Sequence, residues 1–443
     1  MRTRMPWLIG LLTLAAGGFL TWSLTRGQNP IAERGKDSAR SQATDSSPPT
    51  ARHESPATSP QPPTAKPELS KLSPLQQQMY ASSLRGADWL FRANRTDGRF
   101  VYGYLPALKS VMDGDHYLRQ AGAAFALARA ARFTGDDRHT ALARQAVLTL
   151  LADTTVDSQD PGVRHTTWPS VVVNRLAAAG LLVLAINELP APADDLLKQS
   201  EELCGYIRRQ QQADGSLRYT DHASDGKPAG DDPDGINYYP GEAMYGLMLS
   251  QRYRPAAWKT DVVRKAAEYY RPWWQAHKNM AFVPWQTAAC TEAYLRTKDS
   301  ALADFVNEMN EWICALQYAS LDPRHPLWGG GFMGWMDGKP VNSPPQVSSA
   351  SYAEGLAEAC RLARQAGDLS RFQRYREALE RCLQFLTTLQ YTEVNTQHFA
   401  DWYRPTLLGG FHASHQDGDL RIDYSQHAVC ALVQYLTYVA DVP

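Results

Sequence analysis

From about residue 75 to the end, the chain alternates between two kinds of apolar pattern. One kind is amphipathic and carries its charged residues on one side of a helical repeat. The other kind is rich in alanine and glycine and is apolar on nearly every side. Long stretches with the period-two alternation of β-strands are absent. The pattern therefore predicts a domain built mainly from α-helices.

The two kinds of segment occur in six pairs, and in each pair the amphipathic segment comes first. The amphipathic helices are predicted near 75–93, 137–152, 194–212, 258–275, 301–319 and 368–390. The apolar helices are predicted near 116–133, 170–188, 238–252, 285–297, 348–366 and 423–440. Repeated units of this size bury their apolar faces on one another. We therefore expect the apolar helices to form an inner layer and the amphipathic helices to form an outer layer that faces water.

Six helical hairpins can close into a ring, or they can stack into an open solenoid. The terminal repeats of a solenoid usually carry a polar outer face. The last predicted helix ends in AVCALVQYLTYVA (428–440), which is almost wholly apolar. The sequence therefore favours the closed ring, in which no hairpin leaves an apolar side uncovered.

The loops that follow the amphipathic helices also repeat. They combine Asp-Gly or Gly-Gly turns with aromatic residues, as in RTDGRFVYGY (95–104), QADGSLRYTD (212–221), WGGGFMGW (328–335) and LLGGFHASHQDGD (407–419). This pattern resembles the repeats of the six-hairpin (α/α)6 toroids, a superfamily of glycosidases, sugar epimerases, polysaccharide lyases and terpenoid cyclases. The resemblance covers about 75–443 and points to no single family. It implies an all-α fold, the (α/α)6 toroid of six helical hairpins.

The N-terminal part of the chain predicts a membrane anchor and a tether. Arg2 and Arg4 precede an uncharged run from Met5 to Thr25, which is long enough to span a bilayer. A cleaved signal peptide is the alternative, but no A-x-A cleavage site follows the run. We therefore expect an anchor over 1–26, a disordered Ser/Pro/Thr-rich linker over 27–74 and the toroid over 75–443. The toroid is expected to face the periplasm or the exterior, either from the cell membrane in a single-pass protein or as a secreted domain.

Composition and motifs exclude several kinds of function. The formal net charge is −1, so the chain has no field that would recruit nucleic acid. The six cysteines form no CxxC pair and no zinc-type cluster with histidine, and P-loop and GxGxxG motifs are absent. The acidic stretch DDPDG (231–235) lacks the spacing of terpenoid-cyclase motifs and is interpreted as a solvated turn rather than a calcium site. We predict no metal and no cofactor.

In a toroid of this kind, the loops that lead into the inner helices converge on one mouth, where the positive ends of the helix dipoles also lie. Polar and aromatic residues near the starts of the inner helices are therefore the candidates for a site. The predicted catalytic residues are Glu242, Glu354, Asp423, His427 and Tyr239. The predicted substrate-binding residues are His116, Gln120, Arg175, Trp168, Trp285, Trp335, Tyr352, Tyr424 and Trp402. For each residue the alternative is a structural role, such as a helix cap or an inter-helix hydrogen bond.

The candidates suit two kinds of carbohydrate chemistry. Glycoside hydrolysis needs two carboxylates across the scissile bond, and Glu242, Glu292, Glu354 and Asp423 come from different hairpins. Glu242 lies near a positive helix end, where its charge is expected to be stabilised, and Asp423 is expected to be an N-cap. A sugar epimerase or lyase would instead use a histidine or tyrosine as its base.

Tryptophans in or beside the mouth loops offer flat faces for sugar rings. Together these observations predict a membrane-anchored, extracytoplasmic carbohydrate-active enzyme, either a glycoside hydrolase or a uronate epimerase or lyase, that acts on an envelope or exported polysaccharide. A non-catalytic glycan-binding or scaffolding module of an envelope assembly, with an envelope protein as partner, is the alternative.

Overall fold

The computed structural model of the chain describes residues 69–220, 234–318 and 322–440. Numbered in chain order, the amphipathic helices are α1 (Pro74–Ala93), α3 (Asp137–Leu151), α5 (Asp194–Arg209), α7 (Ala257–Ala276), α9 (Ser300–Ala315) and α11 (Leu369–Thr388). The apolar helices are α2 (Tyr117–Thr134), α4 (Arg175–Glu188), α6 (Tyr239–Ser250), α8 (Val283–Thr297), α10 (Ser349–Ala366) and α13 (Ile422–Gln434). The short helix α12 (Arg404–Leu407) lies in the last loop, and α13 continues as a π-helical turn over Tyr435–Val439. The six predicted helix pairs are confirmed.

The apolar helices form a closed inner ring. Each contacts the next in the order α2, α4, α6, α8, α10 and α13, and α13 contacts α2 again. Glycines allow some of these close approaches. A Cβ atom on Gly180 of α4 would lie 2.8 Å from the backbone nitrogen of Ala243 in α6. The ring closure confirms the toroid and rules out the open solenoid for the described residues.

The amphipathic helices surround the inner ring. Hydrogen bonds join the first of these outer helices to the end of the last one. Helix α1 begins with a capping box, in which Ser73 and Gln76 each accept a hydrogen bond from the other's backbone N–H. The Ser82 hydroxyl of α1 donates a hydrogen bond to the Gln390 side chain, just after α11, at 2.8 Å. The Gln390 amide donates back to the Ser82 carbonyl at 3.0 Å. The outer layer therefore closes where the chain of hairpins begins and ends.

Short β-hairpins occupy several loops that lead into the inner helices. They are β1 (Gly103–Leu105) with β2 (Ser110–Val111), β3 (Thr154–Val156) with β4 (Arg164–Thr166), β5 (Gly334–Met336) with β6 (Lys339–Val341), and β7 (His412–Ser414) with β8 (Asp417–Arg421). Strands β1 and β8 also pair, which joins the first and last of these loops in a sheet of order β2-β1-β8-β7. The sequence analysis predicted turns here but no strands, because runs this short carry no clear period-two signal.

Buried ion pairs join the inner helices at the end opposite the mouth. Glu188, the last residue of α4, is paired with Arg129 of α2 at 3.0 Å and with Arg252, just after α6, at 3.1 Å. Glu292 of α8 is paired with Arg361 of α10 at 2.6 Å. Glu292 lies nine residues after the start of α8, more than two turns into the helix. The expectation that Glu292 is a free carboxylate at the mouth is therefore wrong.

Part of the predicted organisation lies outside the described residues. This applies to the anchor over 1–26, to nearly all of the linker over 27–74, and to Asp231 and Asp232 of the acidic turn. Among the helices that are described, none combines the length and the hydropathy needed to cross a membrane.

Candidate active site

Glu242 is a buried carboxylic acid at the start of an inner helix. It lies in the first turn of α6, which Pro240 helps to begin, and its side chain is 7% exposed. Its Oε2 atom has no hydrogen-bond partner among the described residues. Burial raises the pKa of Glu242 to about 8, although the positive charge of His427 opposes this shift. At neutral pH the residue is mainly protonated, because burial outweighs the stabilisation of its charge that was expected from the helix end.

His427 and Glu354 form a second part of the site, from helices α13 and α10. The Nδ1 atom of His427 lies 2.6 Å from Oε1 of Glu354. Burial lowers the pKa of His427, but the Glu354 carboxylate has the opposite effect and leaves the pKa above its ordinary value. With Nδ1 donating its proton to the carboxylate, Nε2 carries the lone pair of the neutral ring. Nε2 makes no hydrogen bond to any residue in the described part of the chain.

Trp285 of α8 completes one side of this arrangement. Its ring centroid lies 6.1 Å from that of His427 and 6.3 Å from that of Tyr245. The glycine that precedes Glu242 allows α6 to approach α8 closely, because a Cβ atom on Gly241 would lie 2.6 Å from the Trp285 Cβ. Four inner helices thus bring together a carboxylic acid, an imidazole–carboxylate pair and an indole. We call Glu242, Glu354 and His427 the acid–base cluster.

Asp423 is held by arginines that the sequence analysis did not select. Its two oxygens accept hydrogen bonds from Arg421 at 2.6 and 2.7 Å, and Arg119 of α2 lies 3.2 Å away. Burial raises the pKa of Asp423, but these arginines outweigh burial and leave it lowered. Asp423 lies inside the first turn of α13 rather than at its N-cap, which is Arg421. With both oxygens engaged, Asp423 is poorly placed to act as a nucleophile or a base.

A cavity of about 470 Å³ lies at the mouth, by the starts of α8 and α10. It is lined by the residues before α8, by β5, by the segment before α10 and by the β7–β8 turn, and its side chains include Asn279, Phe332, Trp335, Gln346, Ser349 and Tyr352. Among the residues that the structure describes, no charged side chain lines it. The acid–base cluster does not line it either, but Tyr352 precedes Glu354 by two positions on α10. The mouth therefore has a reactive part and a separate uncharged part.

Trp335 and Tyr352, both predicted to bind substrate, are held edge-on by other rings in this cavity. Trp335 packs on Trp312 with ring centroids 5.0 Å apart, and Tyr352 packs on Phe332 at 5.2 Å. Both residues remain half-buried. Burial, with a smaller contribution from Tyr238 at the start of α6, raises the pKa of Tyr352 to about 12. Tyr352 is therefore a neutral hydroxyl at physiological pH and not a candidate base.

Several other predicted residues lie near the arginines or support the loops. Arg421 stacks over the Tyr424 ring at 4.4 Å, and His116 is exposed immediately before α2. Gln120 is 1% exposed. Its side-chain oxygen accepts a hydrogen bond from the Phe100 backbone N–H at 2.7 Å, and its side-chain nitrogen donates one to the Phe100 carbonyl at 2.9 Å. Gln120 therefore has a structural role here, and its prediction as a substrate ligand is not supported.

The remaining predicted residues lie in or beside loops. Tyr239 packs edge-on against Tyr219 at 6.1 Å, and Arg175 is the half-buried first residue of α4. Trp168, before α4, is 41% exposed, and Trp402, after α11, is 71% exposed. Neither indole has a ring contact with the acid–base cluster in the described part of the chain. Their roles in binding stay predictions.

Neither a protein-family model nor a curated protein sequence matches the chain. Solved structures match it over most of its length. An unsaturated glucuronyl hydrolase specific for heparin is 15% identical, with a TM-score of 0.57 and coverage of 81% of this chain and 97% of that chain. A D-mannose isomerase is 13% identical, with a TM-score of 0.58 and coverage of 82% and 99%. An α-1,6-mannanase from Salegentibacter sp. HEL1_6 is 10% identical, with a TM-score of 0.55 and coverage of 80% and 98%.

At these identities the similarity concerns the fold, and it agrees with the closed inner ring described above. The chain has the six-hairpin (α/α)6 toroid fold that these three proteins share.

Proposed function

We propose that this protein is a carbohydrate-active enzyme that works by general acid–base catalysis at the mouth of the ring. One observation carries the proposal. Glu242 is a buried carboxyl group whose Oε2 atom has no hydrogen-bond partner among the described residues. It lies close enough to His427 for the two charges to interact, and His427 is itself held by Glu354. Perturbed titratable groups that meet in one recess are typical of catalytic sites.

The two parts of the acid–base cluster suit opposite roles. Glu354 fixes the tautomer of His427 and increases its basicity, so that Nε2 can accept a proton from the substrate or from water. Glu242, which is neutral at physiological pH, can donate a proton to an oxygen that gains negative charge. Because their environments differ, Glu242 is suited to act as the acid and His427 as the base.

The geometry favours proton transfer at a sugar carbon over a covalent glycosyl–enzyme mechanism. A retaining glycosidase needs an ionised carboxylate that is free to attack the sugar. Glu354 is engaged by His427, and Asp423 is engaged by Arg421 and Arg119. The proposed reaction is therefore epimerisation, isomerisation or elimination next to a carbonyl carbon, with His427 as the base. A second possibility is hydrolysis by a water molecule that His427 activates.

Structures with this fold include both kinds of enzyme by name, since one is called a D-mannose isomerase and others are called hydrolases or mannanases. They support sugar chemistry as the class of reaction and leave the reaction itself to experiment. We further propose that residues 1–26 anchor the protein and that the toroid acts on glycans in the cell envelope. Fractionation and protease protection of the full chain in cells test that location.

The second candidate function is a non-catalytic glycan-binding module. The uncharged cavity favours this candidate, because its described lining offers aromatic and hydroxyl groups without a charged residue. A binding module would bind glycans and leave their composition unchanged, and this behaviour separates the two candidates.

The test is a product assay with the full chain purified in detergent. Neutral and uronic oligosaccharides are incubated in D₂O or in ¹⁸O-labelled water and analysed by mass spectrometry and NMR. Epimerisation or isomerisation introduces deuterium at carbon, elimination gives an unsaturated product, and hydrolysis introduces ¹⁸O. We expect Glu242→Gln and His427→Gln to lower turnover by roughly 10²-fold or more. The exposed residues Glu393 and His398 supply matched controls, since Glu393→Gln and His398→Gln should retain activity. Equal turnover in the cluster variants would overturn the proposal.

A further inference from the structure

The uncharged cavity occupies one side of the ring mouth. Asn279 and Ala281 lie just before α8, Ser349 and Tyr352 lie in the first turn of α10, and Trp335 belongs to β5. Helices α8 and α10 are neighbours in the inner ring and carry Trp285 and Glu354. A ligand in this cavity would therefore contact the starts of the two helices that carry Trp285 and Glu354, but none of the residues of the acid–base cluster.

The size and lining of the cavity suit a saccharide. A volume of about 470 Å³ lies within the range of small-molecule pockets. The rings of Phe332, Trp335 and Tyr352 supply flat apolar walls, and Gln346 and Ser349 supply donors and acceptors for hydroxyl groups. An apolar wall with a few polar groups matches a sugar ring, which has C–H faces and a hydroxyl edge.

The charge of the lining restricts which saccharide can bind. A carboxylate that leaves water for an uncharged site loses several kcal/mol of solvation unless a cation or several donors replace it. Within the described residues the cavity contributes no arginine, lysine or histidine. Arg119 and Arg421 lie at the starts of α2 and α13 and are already paired with Asp423. Among the described residues, a uronic acid would therefore find no free cation in this cavity.

We propose that the cavity is a binding subsite for a neutral sugar unit of the substrate, with Trp335 as its main stacking surface. This inference rests on the proposed function and narrows it, because it makes the substrate a neutral oligosaccharide or polysaccharide rather than a polymer of uronic acid. Of the two kinds of enzyme that the sequence left open, the inference favours one that acts on a neutral glycan over a uronate epimerase or lyase.

The test measures binding without turnover, in the full-length Glu242→Gln protein. Mannotriose and cellotriose serve as neutral probes and trigalacturonate as the acidic probe, with affinities from calorimetry and contacts from saturation-transfer NMR. We expect at least one neutral trisaccharide to bind about tenfold or more tightly than trigalacturonate. Tighter or equal binding of trigalacturonate would overturn the inference, and so would the absence of neutral-sugar binding at millimolar concentration.

Three further variants place the binding in this cavity. Trp335→Ala should weaken the binding of the neutral probe about tenfold or more, and Ala281→Trp should prevent this binding by filling the cavity. Trp335→Phe keeps an aromatic ring against Trp312 and should restore part of the affinity, which separates stacking from folding. Trp258→Ala removes a half-buried tryptophan of the outer helix α7, away from the mouth, and should leave the affinity unchanged. Unchanged affinity in Trp335→Ala and Ala281→Trp would overturn the inference.

The two proposals fail in distinguishable ways. Neutral-sugar binding that depends on Trp335, together with no turnover of any glycan by the wild type, would support the subsite and contradict the proposed enzymatic activity. Turnover that depends on Glu242 and His427 but not on Trp335 would support the enzymatic activity and contradict the subsite.

Discussion

At the residue scale, Glu242 is subject to two opposing effects. Its place in the first turn of α6 favours the ionised form by about 0.3–1 kcal/mol, or up to about 2 kcal/mol in a buried site. Burial without a hydrogen-bond partner disfavours the ionised form by several kcal/mol. Burial is the larger effect, so the pKa rises and the residue keeps its proton at neutral pH. The same burial that lowers stability makes Glu242 useful as an acid.

The first prediction concerns the stability of Glu242→Gln. Between pH 4.5 and about 8, Glu242 is protonated in the folded protein and ionised in the unfolded chain. Folding therefore takes up a proton in this window, and raising the pH lowers the stability of the wild type relative to the variant. We expect the stability difference in favour of the variant to grow by roughly 3 kcal/mol or more from pH 5 to pH 8.5. Urea unfolding at both pH values measures it, and a constant difference would contradict the assigned pKa.

The second prediction concerns His427. The Glu354 carboxylate raises the pKa of His427 above 6.5 against the effect of burial. Glu354→Gln should remove this contribution and lower the imidazole pKa. Titration of the ¹⁵N-labelled imidazole by NMR measures the change. The exposed Glu393→Gln variant is the control and should leave the pKa of His427 unchanged, while an unchanged pKa in Glu354→Gln would show that the pair is not formed.

The members of the acid–base cluster and their common position at the mouth were predictable from the sequence, but the pairing of His427 with Glu354 was not. Glu242, Glu354 and His427 each stand out as polar residues near the start of an apolar helix. Their meeting depends on ring closure over residues far apart in the chain, and sequence spacing does not determine it. The arginines around Asp423 were missed for a similar reason, since Arg119 comes from α2 and contacts Asp423 of α13.

At the element scale, the helices were predictable because inner and outer helices differ in composition. An inner helix packs on neighbours at both sides, so small residues replace the charged face of an outer helix. The mouth hairpins were not predictable, since β1 and β5 contain three residues each. They form because antiparallel partners such as β8 are held nearby by the ring. Tertiary structure, rather than local propensity, determines these strands.

The third prediction tests the contact between α4 and α6. A methyl group in Gly180→Ala would meet the backbone of Glu242 and Ala243 at 2.8 Å, so the two helices must separate. We expect a loss of about 1–3 kcal/mol in the free energy of unfolding, together with reduced activity because Glu242 moves. Thermal unfolding and the product assay measure both effects. Gly355→Ala is the matched control, because its nearest contact would be 3.3 Å from Pro284, and its loss should be smaller.

At the scale of the whole molecule, the two ends of the ring differ in their charged groups. The mouth carries the acid–base cluster and the uncharged cavity, whereas the opposite end carries the buried ion pairs around Glu188 and Glu292. The candidate catalytic groups and the stabilising ion pairs thus lie at opposite ends of the ring. The pairing of β1 with β8 at the mouth and the ion pairs at the other end each join different helical hairpins of the toroid.

The fourth prediction tests the ion pairs at the end opposite the mouth. Glu188→Gln leaves Arg129, which is almost fully buried, without a counter-charge, and also removes a partner of Arg252. We expect a loss of about 3–5 kcal/mol in the free energy of unfolding. Asp194→Asn, which breaks an exposed pair with Arg254, should cost below about 1 kcal/mol. Denaturant unfolding of both variants compares the two losses, and a similar small loss in both would show that the buried pairs contribute little.

The presence of a neutral carboxylic acid beside a histidine–carboxylate pair is tested most directly by titrating Glu242 itself. Carbon-13 NMR of the glutamate carboxyl groups, in wild type and in Glu242→Gln, assigns the resonance without needing a substrate. We predict one carboxyl group that titrates near pH 8 in the wild type and is missing from the variant. A Glu242 carboxyl group that titrates near its ordinary value of 4.5 would contradict the proposed acid and, with it, the proposed division of roles at the mouth of the ring.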